Sequence, residues 1–98
     1  MSKRREDDLH IKDAIHQLLD TYKIRRKYDE TSLISAWPQL IGPAIANRTK
    51  KIYIRDGKLF VQVESAVVKH ELTLMRSQIL HRLNEYVGHE VIDDVVIL

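Results

Sequence analysis

Residues 51–63 read KIYIRDGKLFVQV and carry the clearest local signal of secondary structure in the chain. Apolar and polar residues alternate on both sides of Asp56-Gly57, a dipeptide that favours a two-residue hairpin turn because both of its positions tolerate positive φ. Pairing across this turn sets Ile54 opposite Leu59, on the face that we expect to meet the core. The same register predicts four further pairs: Ile52 with Val61, Tyr53 with Phe60, Arg55 with Lys58, and Lys51 with Gln62.

The other face of the hairpin carries an aromatic pair, Tyr53 and Phe60, with cations on neighbouring positions. Exposed aromatic rings beside cations are typical of sheets that bind single-stranded nucleic acid, because bases stack on the rings and the cations contact phosphates. Two other arrangements stay open. Another element covers this face, or the aromatic pair only stabilises the strand ladder.

Downstream of the hairpin, the pattern predicts one long helix and a third strand. Ser65 is a good N-cap, and Gly88 suits the C′ position that ends a helix. The β-branched run of residues 91–98 predicts a strand whose register is open, because either alternation leaves Asp93 or Asp94 near the core face. The apolar stripe of the helix comprises Val68, Leu72, Met75, Ile79, Leu83 and Tyr86 or Val87.

Upstream, two helices are expected. Residues 1–8 are charged and polar apart from Met1 and predict a flexible tail. Apolar residues at steps of three and four predict a first helix over 9–22. Residues 23–28 are mostly basic, which suits a helix C-terminus. A second helix, capped by Asp29 or Thr31 and reaching Ala46, should be kinked or split by its prolines.

These elements give a single α+β domain over residues 9–98, in the order α-α-β-β-α-β. A helix between the hairpin and the last strand allows a three-stranded mixed sheet with the helices packed on one face. Trp37, at helical spacing from Leu33 and Leu40, is expected to anchor the core. With 44% hydrophobic and 31% charged residues, the 98-residue chain is typical of a globular domain.

The formal net charge of +2 conceals a segregation of charge. Residues 23–58 carry nine basic and three acidic side chains, whereas the rest of the chain is net acidic. An electropositive surface is the usual footprint of a phosphate-bearing partner, although a solvated basic face without a ligand would look the same. The candidate nucleic-acid-binding residues are Lys23, Arg25, Arg26, Lys27, Arg48, Lys50, Lys51, Tyr53, Arg55, Lys58 and Phe60.

Several kinds of chemistry are not expected. The chain has no cysteine and only three glycines, so it offers neither thiolate chemistry nor a glycine-rich phosphate loop. Its five histidines are scattered without metal-ligand spacing. We therefore expect no catalytic residue, metal or cofactor. No apolar run is long enough for a bilayer and no secretory signal is evident, which makes the cytoplasm the expected location and a membrane partner unexpected.

The order of landmarks resembles the DciA family over about residues 30–98. The landmarks are Trp37-Pro38-x-Leu40-Ile41-Gly42, Ala46-x-x-Thr49, Asp56-Gly57-x-Leu59-x-Val61-x-Val63-x-Ser65, Glu71-Leu72, Ile79-Leu80, Leu83-Asn84 and a closing apolar strand. The resemblance implies a KH-like domain in a bacterial replication protein that binds the replicative helicase DnaB and helps to place it on DNA. The Gly-x-x-Gly loop by which KH domains clamp a nucleic-acid backbone is absent, so that binding mode is not expected.

Three functions remain open from the sequence. The first is a non-enzymatic helicase-loading factor, located at the nucleoid and replication fork, whose basic surface contacts single-stranded DNA without reading its sequence. The second is a KH-like RNA-binding module that associates with the ribosome or with structured RNA. The third is a protein–protein adaptor whose basic surface meets an acidic partner.

Overall fold

A computed structural model describes the backbone of residues 2–98 and the side chains of residues 10–98. The fold is α+β with a three-stranded mixed sheet, which confirms the predicted class. The boundaries of the helices differ from the prediction. In chain order the elements are α1 (Ser2–Ile41), α2 (Pro43–Ala46), β1 (Thr49–Arg55), β2 (Lys58–Val63), α3 (Ala66–Leu74), α4 (Arg76–Val87) and β3 (Asp94–Ile97).

The hairpin forms in the predicted register, and all five predicted pairs are present. Asp56 and Gly57 have φ of 52° and 76°, so the turn uses the positive-φ geometry that its sequence favours. At Gly57 an added Cβ would lie 3.2 Å from an Asp93 carboxylate oxygen, so the turn also packs closely against the segment before β3. One irregularity, at Lys50, shifts the register at the start of β1.

The third strand begins at Asp94 and runs parallel to β2, which gives the sheet order β1-β2-β3. Val95 lies opposite Leu59 on the core face, whereas Asp94 lies opposite Lys58 on the other face. Asp93 precedes the strand and is exposed. The strand is therefore shorter than residues 91–98, and starting it at Asp94 keeps both carboxylates off the core face.

The predicted break between a first helix over residues 9–22 and a second helix capped by Asp29 or Thr31 was wrong, because α1 runs without interruption from Ser2 to Ile41. Residues 23–28 contain no helix breaker, and Arg and Lys have high helix propensity. Arg26 forms an ion pair with Glu30 one turn later, 3.4 Å between Nε and Oε1. The Thr31 hydroxyl donates to the Lys27 carbonyl instead of capping a new helix. The flexible tail predicted for residues 1–8 lies outside the residues whose side chains are described.

The expected split near the prolines occurs at Gly42, with a φ of 94°, between α1 and the one-turn helix α2. Pro38 sits in the last turn of α1, and Pro43 occupies the first turn of α2, where a missing N–H costs no hydrogen bond. The Gly42 N–H donates to the Pro38 carbonyl at 3.0 Å and closes α1.

The single long helix expected after Ser65 is two helices, α3 and α4, which meet at Met75. Met75 leaves helical geometry with φ −97° and ψ 7°, and its N–H is shared between the carbonyls of Glu71 and Leu72. The break changes the direction of the chain, and both helices contribute buried residues to the core, among them Leu72 of α3 and Leu83 of α4. The predicted cap is present, since the Ser65 hydroxyl accepts from the Val68 N–H.

Trp37 anchors the core as predicted, with 3% of its surface exposed. Its indole Nε1–H donates to the Thr49 hydroxyl at 3.1 Å, and that hydroxyl donates to the Ile45 carbonyl at 3.0 Å. One hydroxyl thus joins α1, α2 and β1. The core comprises Leu33, Trp37, Leu59, Val61, Val63, Val68, Leu72, Ile79, Leu83, Ile92 and Val95.

The Asn84 side chain fixes the connection between α4 and β3. Its Oδ1 accepts from the N–H groups of Val91 and Ile92, both at 3.0 Å, and its Nδ2 donates to the Ile92 carbonyl at 2.9 Å. A single amide therefore satisfies three backbone groups in a segment that belongs to neither element. This contact holds the chain in place just before it enters β3.

A candidate nucleic-acid interface

The sheet has one face on the core and one face that carries the aromatic pair. We call the second face the open face. None of its described side chains belongs to the buried core cluster, which lies on the opposite face with α1, α3 and α4. The open face comprises Lys51, Tyr53 and Arg55 of β1, Lys58, Phe60 and Gln62 of β2, and Asp94 and Val96 of β3.

A row of three apolar side chains crosses the middle of the open face. Tyr53 lies opposite Phe60, and Phe60 lies opposite Val96, so each strand contributes one member. The two rings are stacked, with centroids 4.9 Å apart and planes 8° from parallel, and both side chains are half-buried. Lys51 Nζ lies 5.2 Å from the centroid of the Tyr53 ring, within the range of a cation–π contact.

A row of charged side chains lies next to the aromatic row, toward the hairpin turn. Arg55 lies opposite Lys58, and Lys58 lies opposite Asp94. Asp94 is bound from the edge of the sheet by Arg76, with 2.8 Å between Oδ1 and Nη2. The hydrogen bond from the Arg76 guanidinium holds the pKa of Asp94 below its ordinary value, and the Val95 N–H adds to the effect. Arg55 and Lys58 are therefore exposed cations next to a carboxylate, that of Asp94, which is already paired with Arg76.

The hairpin turn also meets the cations of α1. Arg25 and Arg26 line a groove together with Asp56 and Gly57 of the turn. Acidic side chains share this groove, so its charge is mixed. They are Asp29, Asp56, Glu90 and Asp93. The groove is therefore less suited to a polyanion than the open face is.

The other predicted cations are distributed around the domain. Lys23 and Lys27 are one helical turn apart on α1, exposed, and outside the groove. Arg48 and Lys50 lie at the opposite end of the hairpin, where Lys50 Nζ is 3.9 Å from a carboxylate oxygen of Glu64. The structure thus brings together Lys51, Tyr53, Arg55, Lys58 and Phe60 on one face and separates the remaining candidates from it.

The open face carries the kinds of side chain by which sheets bind an extended single strand. Stacked aromatic rings offer a flat apolar surface to a base, and cations about 7 Å along the strands, two residues away, are placed to contact phosphates. Val96 extends this surface to the third strand, a role that sequence reasoning missed. The sequence predicted the last strand but not its register, because either alternation would have placed one of the two adjacent aspartates near the core face.

Two other kinds of site find no support in the described part of the chain. Within it, no group of three or more histidine or acidic side chains is arranged to hold a metal ion. No helix there combines the length and the apolar character that crossing a membrane requires.

Comparison with known proteins gives a consistent result. The family model described as "Dna[CI] antecedent, DciA" matches residues 10–97. A UPF0232 protein from Corynebacterium glutamicum (strain R) is 36% identical over 61 residues, which are 62% of this chain and 34% of the relative. A UPF0232 protein from Rhodococcus jostii (strain RHA1) is 35% identical over 66 residues, which are 67% of this chain and 35% of the relative. The matched region spans about a third of the length of these relatives. Because the family model covers nearly the whole sequence, the chain belongs to the DciA family.

Proposed function

We propose that this protein is a non-enzymatic DNA-replication factor that binds the replicative helicase DnaB and single-stranded DNA and assists loading of the helicase. Its place of action is the cytoplasm, at the nucleoid and the replication fork. Family membership supports the helicase partner. The observation that carries the DNA contact is the stacked Tyr53–Phe60 pair on the open face, with Lys51, Arg55 and Lys58 around it.

The open face supports binding without sequence readout. Stacking accepts any base because every base has a π-face, and the cations contact phosphates, which are common to all sequences. The opposite face of the sheet is occupied by the helices. A partner that contacts the helical side can therefore be bound while DNA lies on the open face. This separation suits a factor that brings a helicase and a DNA strand together by binding both.

Stacking is tested by Phe60→Ala, with Tyr86→Ala as the matched control. Tyr86 is an aromatic residue on α4 with 52% of its surface exposed, and it lies away from the sheet. Base–aromatic stacking contributes roughly 1–3 kcal/mol, so Phe60→Ala should weaken binding of a fluorescent oligothymidine by about 5- to 150-fold. Equal affinities of the two variants would refute the DNA-binding role of the open face.

Phosphate contact is tested by the salt dependence of the same binding. For single strands, log K falls with log salt by about 0.7 for each phosphate contacted. Arg55→Ala should therefore reduce the slope by about 0.7, whereas Lys69→Ala, an exposed cation on α3, should leave it unchanged. Competition with an RNA of the same sequence distinguishes this function from an RNA-binding module, since tighter binding of RNA would favour the latter.

Helicase binding is tested with the purified cognate helicase and no nucleic acid. Saturable binding that survives Phe60→Ala would support a second surface for the helicase. A complete lack of binding by the wild-type protein, at low and at high salt, would remove the replication role even if the open face binds DNA.

A further inference from the structure

The N-terminal half of α1 carries an exposed apolar stripe, whose last residue, Tyr22, also lines the groove beside the hairpin turn. Every described residue from His10 to Tyr28 is exposed, although large apolar side chains recur there at steps of three and four. The residues of this N-terminal stripe, with their exposed fractions, are Ile11 (57%), Ile15 (50%), Leu18 (70%), Leu19 (49%) and Tyr22 (63%).

The stripe continues the core-facing side of the same helix. Counting at 3.6 residues per turn, Tyr22 lies in line with Leu33 and Trp37, which are 1% and 3% exposed. The molecule measures 68 × 20 × 20 Å, and a 40-residue helix is about 60 Å long. The core therefore covers only the C-terminal end of α1, and the stripe extends beyond it along the long axis.

We propose that the N-terminal stripe binds a second copy of this chain in an antiparallel helix pair. Antiparallel pairing matches four of the five stripe residues with one another: Ile11 lies opposite Tyr22 of the second copy, and Ile15 opposite its Leu18. A single register gives both pairs, because in an antiparallel pair of helices the residue numbers of opposed positions have a constant sum. The largest side chain of the stripe thereby meets one of the smaller side chains, at both ends of the contact.

Charge and shape favour the antiparallel arrangement over the parallel one. A parallel pair in register would bring Arg25 and Arg26 against the same arginines of the other copy, because both follow Tyr22 within about one turn. It would also place the two domains side by side at one end. An antiparallel pair sets the domains at opposite ends of the contact and separates the two sets of arginines.

The exposed area fits a weak dimer. Large apolar side chains have surfaces of roughly 200 Å² each, so the exposed fractions amount to on the order of 600 Å² per copy. Two copies would bury on the order of 1,200 Å², which is at the lower limit of specific interfaces. We therefore expect micromolar, concentration-dependent association. The inference does not rest on the proposed function, and its test needs neither DNA nor helicase.

Sedimentation velocity of the full chain tests the association, from about 1 µM to about 500 µM, a range that brackets such dissociation constants. The wild-type protein should shift from monomer to dimer across this range. Leu18→Asp places a charge in the apolar contact and should weaken association at least tenfold. Ile24→Asp is the matched control, since Ile24 is 71% exposed on the other side of the helix, and it should leave association within about twofold of wild type.

Both aspartate variants alter exposed positions, and circular dichroism will show whether each remains folded. A wild-type protein that stays monomeric throughout the range would overturn the proposal and leave the stripe to a different partner. Equal weakening by the two variants would overturn it as well, because the contact would then not use the stripe.

Disulfide trapping tests the orientation, and the chain suits it because it contains no cysteine. Ile11→Cys and Tyr22→Cys are prepared separately and then mixed under mild oxidation. Antiparallel pairing predicts a disulfide between the two variants, since opposed positions bring the Cβ atoms within reach of about 4 Å. Faster crosslinking of each variant to itself would indicate a parallel pair, and an absence of any dimer would contradict the contact. Either result would refute the proposed arrangement.

Discussion

Replacing Asn84 by alanine should destabilise the domain far more than its half-exposed position on α4 suggests. The change removes three hydrogen bonds, two accepted from the N–H groups of Val91 and Ile92 and one donated to the Ile92 carbonyl. Alanine offers no replacement partner. The segment before β3 would then lose its only side-chain contact of this kind among the described residues, and β3 itself pairs on one side only.

The magnitude follows from the number of bonds. A hydrogen bond contributes about 1 kcal/mol net, so three of them correspond to about 3 kcal/mol. Because the site is half-buried, water can replace part of this, and we expect a loss of about 2–3 kcal/mol in the free energy of unfolding. For a domain of this size that corresponds to a decrease in Tm of roughly 10–20 °C.

Urea denaturation followed by far-UV circular dichroism measures the loss, with two comparison variants. Asn84→Asp keeps the two accepted bonds but sets a carboxylate oxygen against the Ile92 carbonyl, and should lose about 1–2 kcal/mol. Glu85→Ala, whose side chain is 72% exposed on the same helix, should change stability by less than about 0.5 kcal/mol. A loss below about 1 kcal/mol for Asn84→Ala, or one equal to that of Glu85→Ala, would show that the Asn84 amide does not stabilise the segment before β3.

Three further predictions concern the hairpin turn, the Thr49 hydroxyl and the stability of the fold at acid pH. Gly57→Ala should cost about 1–2 kcal/mol in urea denaturation, because φ is 76° and the new Cβ would lie 3.2 Å from Asp93; an unchanged midpoint would contradict this. Thr49→Val leaves the buried Trp37 N–H without its acceptor and should cost about 1–3 kcal/mol, detectable as a lower Tm. The hydrogen bond from Arg76 lowers the pKa of Asp94 below its ordinary value of 3.8, so the ionised carboxylate stabilises the fold above that pH. This stabilisation is lost as pH falls through the lowered pKa, and Asp94→Asn should therefore flatten the decline of Tm below about pH 4.

Local signals predicted the hairpin fully. The turn dipeptide and the two-residue alternation fix every pair from Lys51 to Gln62, because a shift by one residue would exchange the core side and the outer side of both strands. The same logic left β3 undecided. Its residues are apolar at almost every position, so the sequence shows no alternation that separates the two faces. The start of the strand at Asp94 is what places Val95 on the core face and Val96 on the open face.

Helix boundaries were less predictable, because the relevant signals are weak or depend on tertiary contacts. The junction at residues 23–28 contains good helix formers, so charge at a helix end was a poor reason to stop α1 there. The break at Met75 has no breaker residue, and it arises because α3 and α4 each direct two side chains into one core. The role of Asn84 was hidden for a similar reason, since an asparagine within an amphipathic helix carries no sign of its distant backbone partners.

The sequence indicated five residues of the open face, but it did not show that the other candidate cations lie elsewhere on the domain. A basic middle third suggested one surface, yet Arg48 and Lys50 lie at one end of the hairpin and Arg25 and Arg26 at the other. Charge counted along the sequence does not show how a helix and a hairpin distribute it in space. Only the open-face residues, fixed by the strand register, could be grouped correctly beforehand.

Helicase binding and single-stranded DNA binding can be compared in one double variant, Arg55→Ala/Phe60→Ala. Biolayer interferometry with immobilised cognate helicase gives the first affinity, and fluorescence anisotropy of an oligothymidine gives the second. We expect the variant to bind the helicase as tightly as wild type does, while its DNA affinity falls by more than about tenfold. Failure of the wild-type protein to bind the helicase, or a parallel loss of both activities in the variant, would contradict the proposed function.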